Sequence, residues 1–235
     1  MSMRIARAAG LSVVLSSLIV TTAFAALSTG EQKRLNDAAG VVTAIRNADN
    51  GIPADLWQKA ACIIVIPDMK KAAFIIGGEY GKGVMSCRTG ASWSSPVFIE
   101  MEKGSAGWQI GGEQADLVLL MMNREGVDKL LQNKVTLGAD AAVAAGPVGR
   151  HASAATDVQL KSGILAYSRA AGAFAGINVS GGVLKPDKSA NERAYGASMA
   201  PRDVLAKDQA SAPPAVQAFV RTLANEARAT SGRKQ

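Results

Sequence analysis

Residues 61–88 read ACIIVIPDMKKAAFIIGGEYGKGVMSCR, and this run decides the fold. Short apolar runs rich in Ile, Val and Gly, cut by turn residues, mark strands; helices repeat their apolar positions every three or four residues. Carried on to Met122, the same reading predicts strands over 61–66, 72–79, 82–88, 96–102, 106–112 and 115–122. Pro67-Asp68, Gly81, Thr89-Gly90 and Lys103-Gly104 stand between them as turn signals. Connections that short join antiparallel neighbours, so a meander is expected and not a βαβ array. Glycines in or beside these strands, among them Gly77, Gly78, Gly81 and Gly83, mark bends or close backbone approach. Such a sheet is expected to curl toward a barrel.

Helical patterns flank the strands. Ser28 and Glu31 have capping-box spacing, and Leu35, Ala38, Ala39, Val42 and Ile45 then recur with helical period, with Lys33, Arg34, Asp37 and Arg46 off that stripe. Asn50-Gly51 stops the pattern. Pro53 opens a short helix anchored by Leu56 and Trp57, and 124–132 reads as another. Strand-like segments resume at 134–145, 156–168 and 172–184, followed by a short helix over 187–196. Pro213-Pro214 opens a last amphipathic helix whose face is Val216, Phe219, Val220 and Leu223. The fold class is therefore α+β: a curved antiparallel sheet or partial β-barrel flanked by N- and C-terminal helices.

The first 25 residues read as a signal peptide. Arg4 and Arg7 precede the apolar run Leu11–Val20, and Ala23-Phe24-Ala25 is a small-x-small cleavage site. The run is shorter than the roughly 20 apolar residues a spanning helix needs. Cleavage there predicts a mature chain from Ala26, periplasmic or secreted, with peripheral membrane association open to it. It carries two arginines fewer than the +7 of the full 235 residues. A moderate positive charge favours anionic surfaces such as phospholipid headgroups. Few aromatics count against nucleic acid bound by base stacking. In an oxidising compartment Cys62 and Cys87, both on predicted strands, invite a disulfide; two separate buried thiols are the other reading.

Catalytic sets are missing from the sequence. The one histidine, His151, follows Gly149-Arg150 in a loop-like stretch, and there is no HExxH, paired CxxC or GxSxG motif. The run Gly77–Gly83 lacks the Ser or Thr that a P-loop places after its lysine. Glu100 and Glu102 alternate on one strand face and read as solvated. No enzyme, metal site or cofactor is expected. Basic residues gather at the predicted turns: Lys70 and Lys71 after Pro67-Asp68-Met69, Lys82 and Arg88 bracketing a strand, and Arg150 after Gly146-Pro147-Val148-Gly149. Cationic tips of this kind pair with headgroup phosphate; spacing alone favours ordinary solubility charge.

An ordered series of motifs runs through the middle of the chain. It includes Ile52-Pro53-Ala54-Asp55-Leu56, Ala61-Cys62-Ile63-Ile64-Val65-Ile66-Pro67, Gly81-Lys82-Gly83-Val84, Trp93-Ser94-Ser95-Pro96, Gln109-Ile110-Gly111-Gly112, Asp116-Leu117-Val118-Leu119 and Gly146-Pro147-Val148-Gly149-Arg150. Over about residues 45–196 this resembles the SYLF domain, in its bacterial exported branch. The resemblance implies phospholipid binding without turnover, the ligand being a phosphoinositide or other anionic lipid. Lys70, Lys71, Lys82, Arg88 and Arg150 are then the expected lipid-binding residues. Some relatives engage membranes through an amphipathic N-terminal helix, and residues 31–48 hold that position here. The expected organisation is a signal peptide over 1–25, an N-terminal helix over 26–50, the SYLF-like domain over 51–200, and a C-terminal amphipathic helix and tail over 201–235. An envelope protein bound in place of lipid is the alternative partner.

Overall fold

The structure is a computed structural model that describes residues 27–48, 51–73, 76–90, 92–106, 114–148, 162–170, 172–206 and 212–232. Helix α1, Thr29–Asn47, starts where the capping box predicts: the Glu31 amide donates to Ser28 Oγ, and the Ser28 amide donates to Glu31 Oε2 at 2.8 Å. Its stripe of Leu35, Ala38, Val42 and Ile45 is buried. Helix α2, Ala54–Lys59, buries Leu56 and Trp57.

The strands are β1 Cys62–Ala73, β2 Ile76–Thr89, β3 Ser92–Trp93, β4 Val97–Ala106, β5 Gln114–Met121, β6 Val135–Thr136, β7 Val143–Ala145, β8 Ile164–Ala170, β9 Ala173–Gly176 and β10 Val183–Pro186. Helices α3 Glu125–Gln132, α4 Lys188–Tyr195, α5 Pro201–Ala206 and α6 Pro214–Gly232 complete the chain. The sequence reading contains no counterpart of α5.

Three predicted turns lie inside strands, the third being Lys103-Gly104, which continues β4 in register with Glu79 and Gly78. Pro67-Asp68 does not end β1; it is a bulge. The register against β2 shifts between Val65 and Lys70, Asp68 has φ 48°, and its amide donates to Asp116 Oδ1 at 3.1 Å. An aspartate tolerates that left-handed conformation better than most residues. Gly81 is not a turn either. It sits within β2, where a Cβ would stand 2.4 Å from Ile66 Cγ2, so close packing and not chain reversal requires glycine there. Of the strand expected over 106–112, all beyond Ala106 lies outside the described residues.

The sheet runs β6-β10-β4-β2-β1-β5-β8-β7, with β3 on β2 and β9 on β8. It is not the simple meander expected, since β5 pairs with β1 and not with β4, and β7 runs parallel to β8. Both faces are covered, which explains continuous apolar runs such as Cys62–Ile66 and Leu117–Met121. Ile63, Val65, Val84, Phe98 and Leu120 face α1, α2, α4 and α6, where the C-terminal helix presents Val216, Phe219, Val220 and Leu223 as predicted. Ile64, Ile66, Met85, Ile99 and Leu119 face Val127 and Leu130 of α3 and Val204 of α5. Toward this second face the sheet is strongly curved. Laid flat, β4 and β8 would lie four spacings apart, about 19 Å, yet one space of about 250 Å³ touches both Lys103 and Ser168. The result is a half-barrel with helices at both ends of the chain.

Cys62 and Cys87 are directly opposite in the β1–β2 register, and a disulfide joins them on the second face.

Candidate functional site

Where α1 crosses the β1–β2 ribbon, an open groove of about 270 Å³ lies between them. Lys33 and Arg34 line it from α1, Asp68 and Lys70 from β1, Tyr80 and Lys82 from β2. Tyr80 and Lys82 are two residues apart and so share a face of the strand. Lys70 and Tyr80 are cross-strand partners just past the bulge.

The cations of this groove differ in how firmly they are held. Arg34 Nη1 and Lys82 Nζ donate to the same oxygen, Asp187 Oδ2, at 3.1 and 3.0 Å. Lys82 also lies 3.7 Å from Glu100, and Arg34 stacks over Phe98 at 5.3 Å from the ring centroid. Asp187 is 4% exposed. Burial works against its charge, but hydrogen bonds from Lys82, the Ala190 amide and Arg34 outweigh that and hold the carboxyl below its ordinary value. The bond to Asp187 in turn raises the Lys82 ammonium above its usual range. Lys33 pairs with Asp37 one turn along the helix at 2.6 Å. Lys70 is exposed and has no ion-pair partner among the described residues.

A second tie docks α1. Glu31, 2% exposed, accepts from Arg193 of α4 at 2.6 Å. Burial again opposes its ionisation, while bonds from Ser28 and Arg193 prevail and lower its pKa.

Of the residues expected to bind lipid, the fold brings Lys70 and Lys82 into this one groove. Lys71 is the next residue of β1, in register with Glu79. Both lysines lie within a strand, because β1 continues through the expected turn. Arg88 has other work. Its guanidinium donates to the carbonyls of Ala60 at 3.1 Å and Trp57 at 2.9 Å and covers the Trp93 ring at 4.4 Å, fastening the end of α2 to the sheet. Arg150 and His151 lie outside the described residues. Glu100 and Glu102 do share a strand face, but they are ion-paired, to Lys82 and Lys185. Lys33, Arg34 and Asp187 are additions. The off-stripe positions of Lys33 and Arg34 put them on the polar side of α1, but the sequence holds no signal for what that side faces.

The groove contains cations, carboxylates and one phenol; it can hold an anion by charge and hydrogen bonding. Among the described residues no three His, Cys, Asp or Glu side chains converge on a metal-sized site. No helix of the described residues is long and apolar enough to cross a membrane.

The family described as "Ysc84: Las17-binding protein actin regulator" matches residues 102–226. The chain belongs to the Ysc84, or SYLF, family. This SYLF chain is 33% identical over 184 residues to LAS seventeen-binding protein 3 of Saccharomyces cerevisiae, covering 77% of this chain and 40% of that one. It is 33% identical over 184 residues to Protein YSC84 of the same yeast, covering 77% and 39%. It is 28% identical over 169 residues to the SH3 domain-containing YSC84-like protein 1 of Homo sapiens, covering 71% and 49%. The chain thus spans two fifths to one half of the relatives it matches. Their names are those of binding and regulatory proteins, not of enzymes. The matched segment of the SYLF family starts at Glu102, so Lys33, Arg34, Lys70 and Lys82 precede it.

Proposed function

We propose that this SYLF protein is a non-catalytic phospholipid-binding protein of the bacterial cell envelope, and that the groove between α1 and the β1–β2 ribbon meets the anionic membrane surface. Lys70 carries the reading. It is an exposed lysine without a counter-ion among the described residues, at the rim of a groove that already holds Lys33, Arg34 and Lys82. A phosphate approaching it gains attraction without first displacing a carboxylate from Lys70.

The double substitution Lys33→Glu/Lys70→Glu tests this. Each basic group near an anionic leaflet contributes about 1 kcal/mol, and reversal replaces attraction by repulsion. Co-sedimentation with phosphatidylglycerol vesicles at low salt should weaken by more than tenfold. Stability should move little, since exposed substitutions shift it by about 0.5 kcal/mol or less. Raising the salt should mimic the variant, because charges farther apart than about 8 Å are screened at physiological ionic strength. Wild-type affinity in the double variant removes the groove from the contact. A wild type that ignores anionic vesicles removes the lipid reading and leaves the second one, a protein partner, which the Las17-binding names of the relatives favour.

Export belongs to the same proposal. Intact mass of the protein recovered from the envelope should equal that of a chain starting at Ala26 without an acyl group. A mass retaining residues 1–25 contradicts it.

A further inference from the structure

The face of the half-barrel that carries the disulfide is, among the described residues, filled along most of its length and open near one end. Along β4 the positions on this face read Val97, Ile99, Met101 and then Lys103; along β2 they read Cys87, Met85, Gly83, Gly81 and then Glu79. The apolar rows therefore end in a lysine and a glutamate, and these two are direct cross-strand partners. Beside them is a space of about 250 Å³ whose apolar wall is Met69, Leu117, Ile177 and Val179, with Ser168 and Asn178 also on its lining. Met69, Leu117 and Val179 are 5%, 2% and 2% exposed, so they form its floor. An apolar cavity of roughly 150 Å³ is already large enough to take benzene.

Inward-pointing charges are a known device for protecting sheet edges, but at Glu79 β2 is paired on both sides, to Lys71 of β1 and Lys103 of β4. Edge protection does not account for the pair. Nor is either charge ion-paired with another described residue. A partly buried acid and base held side by side, neither ion-paired with another described residue, complement a ligand bearing both signs.

We propose that this mouth is a binding site for a single-chain zwitterionic amphiphile. The alkyl chain lies against Met69, Leu117, Ile177 and Val179, the ammonium faces Glu79 and the phosphate faces Lys103. Opposed cross-strand residues stand about 5 Å apart at Cβ, comparable with the few-bond separation of the two charges in a phosphocholine or phosphoethanolamine group. The site is on the opposite face of the sheet from the cationic groove and does not rest on the membrane reading.

Calorimetric titration of the full chain with n-dodecylphosphocholine below its micelle concentration tests the proposal. A saturable single site is expected. Phosphocholine, which lacks the chain, and dodecanoate, which lacks the ammonium, should each bind at least tenfold more weakly. Ile177→Glu, at the partly buried rim, should weaken dodecylphosphocholine binding at least tenfold and leave phosphatidylglycerol vesicle binding unchanged; Lys33→Glu/Lys70→Glu should do the reverse. Absence of saturable binding to the wild type overturns the proposal, as does phosphocholine binding as tightly as the full amphiphile. Dodecanoate matching dodecylphosphocholine overturns the role of the Glu79–Lys103 pair. These three comparisons use the wild-type chain, so they stand even if Ile177→Glu fails to fold.

Discussion

Asp187→Ala should destabilise the protein by about 3 kcal/mol, the low end of what breaking a buried ion pair costs. The side chain does three jobs at once. It caps α4 by accepting from the Ala190 amide at 3.1 Å, it holds Arg34 of α1, and it holds Lys82 of β2. A lost cap costs typically about 1 kcal/mol. The larger share comes from Arg34, whose side chain is 13% exposed and would be left without this carboxylate. Lys82 adds little, because it is 40% exposed and also has Glu100 nearby. Urea unfolding followed by circular dichroism measures the sum. In a chain of this size the thermal midpoint should fall by roughly 6 to 12 °C. A variant within 0.5 kcal/mol of wild type, the usual range of a surface substitution, means that the Asp187 carboxylate contributes nothing measurable to the docking of α1.

Asp187→Asn separates charge from cap. An amide oxygen still accepts from Ala190, so this variant should lose less than alanine does. The folded carboxyl titrates below its ordinary value of 3.8. A depressed folded pKa means that the charge's contribution is fully present above about pH 4 and disappears as pH falls through the folded value. The wild type's advantage over Asp187→Asn should therefore be constant from pH 7 to 5 and shrink toward zero in stronger acid. Glu31, lowered in the same sense, loses its contribution over the same acidic window.

The contrast between Asp187 and Lys70 shows what the sequence could and could not disclose. Local rules recover the capping box of α1, the face of α6 and the apolar stripes, because each depends on residues a few positions apart. The strand content is legible for the same reason, and so is the curl, from the density of glycine in the strands. The breaks are where local rules misled. Pro67-Asp68 and Gly81 carry turn chemistry, but the first makes a bulge and the second makes room for Ile66. Both outcomes are settled by neighbouring strands that no short window contains. The site suffers most from this. Lys70 and Lys82 are visible as isolated cations, whereas the groove needs α1 and β2 both tied to Asp187 at the start of α4, through contacts spanning 153 residues from Arg34 and 105 from Lys82. Arg88 shows the converse: a cation beside a predicted strand end looks like a surface contact until the carbonyls of Trp57 and Ala60 are seen beneath it.

Loss of the Cys62–Cys87 disulfide should lower stability by about 3 to 4 kcal/mol, the chain-entropy value for a closed loop of this separation, 25 residues. Reduction of the wild type is the cleanest way to see it. The two thiols are 0% and 1% exposed, and as buried cysteines they remain small hydrophobes in the same apolar layer. The side-chain volume is then nearly unchanged, and the larger part of the effect comes from the unfolded chain, which regains the freedom the bond had removed. Two signatures follow. The urea midpoint falls, and the denaturant slope rises because the reduced unfolded chain exposes more surface. The Cys62→Ala/Cys87→Ala variant should show the same rise in slope, with a further loss for the side-chain volume removed from the core. Thiol titration of the denatured, unreduced protein should find no reactive thiol; two per chain would contradict the bond. Equal stability before and after reduction would contradict its role. A bond of this size also bears on where the protein folds, since disulfides form and persist in oxidising compartments. On the export proposal, a chain made in a reducing cytoplasm without residues 1–25 should be the less stable form by the same 3 to 4 kcal/mol, and oxidation after purification should restore it.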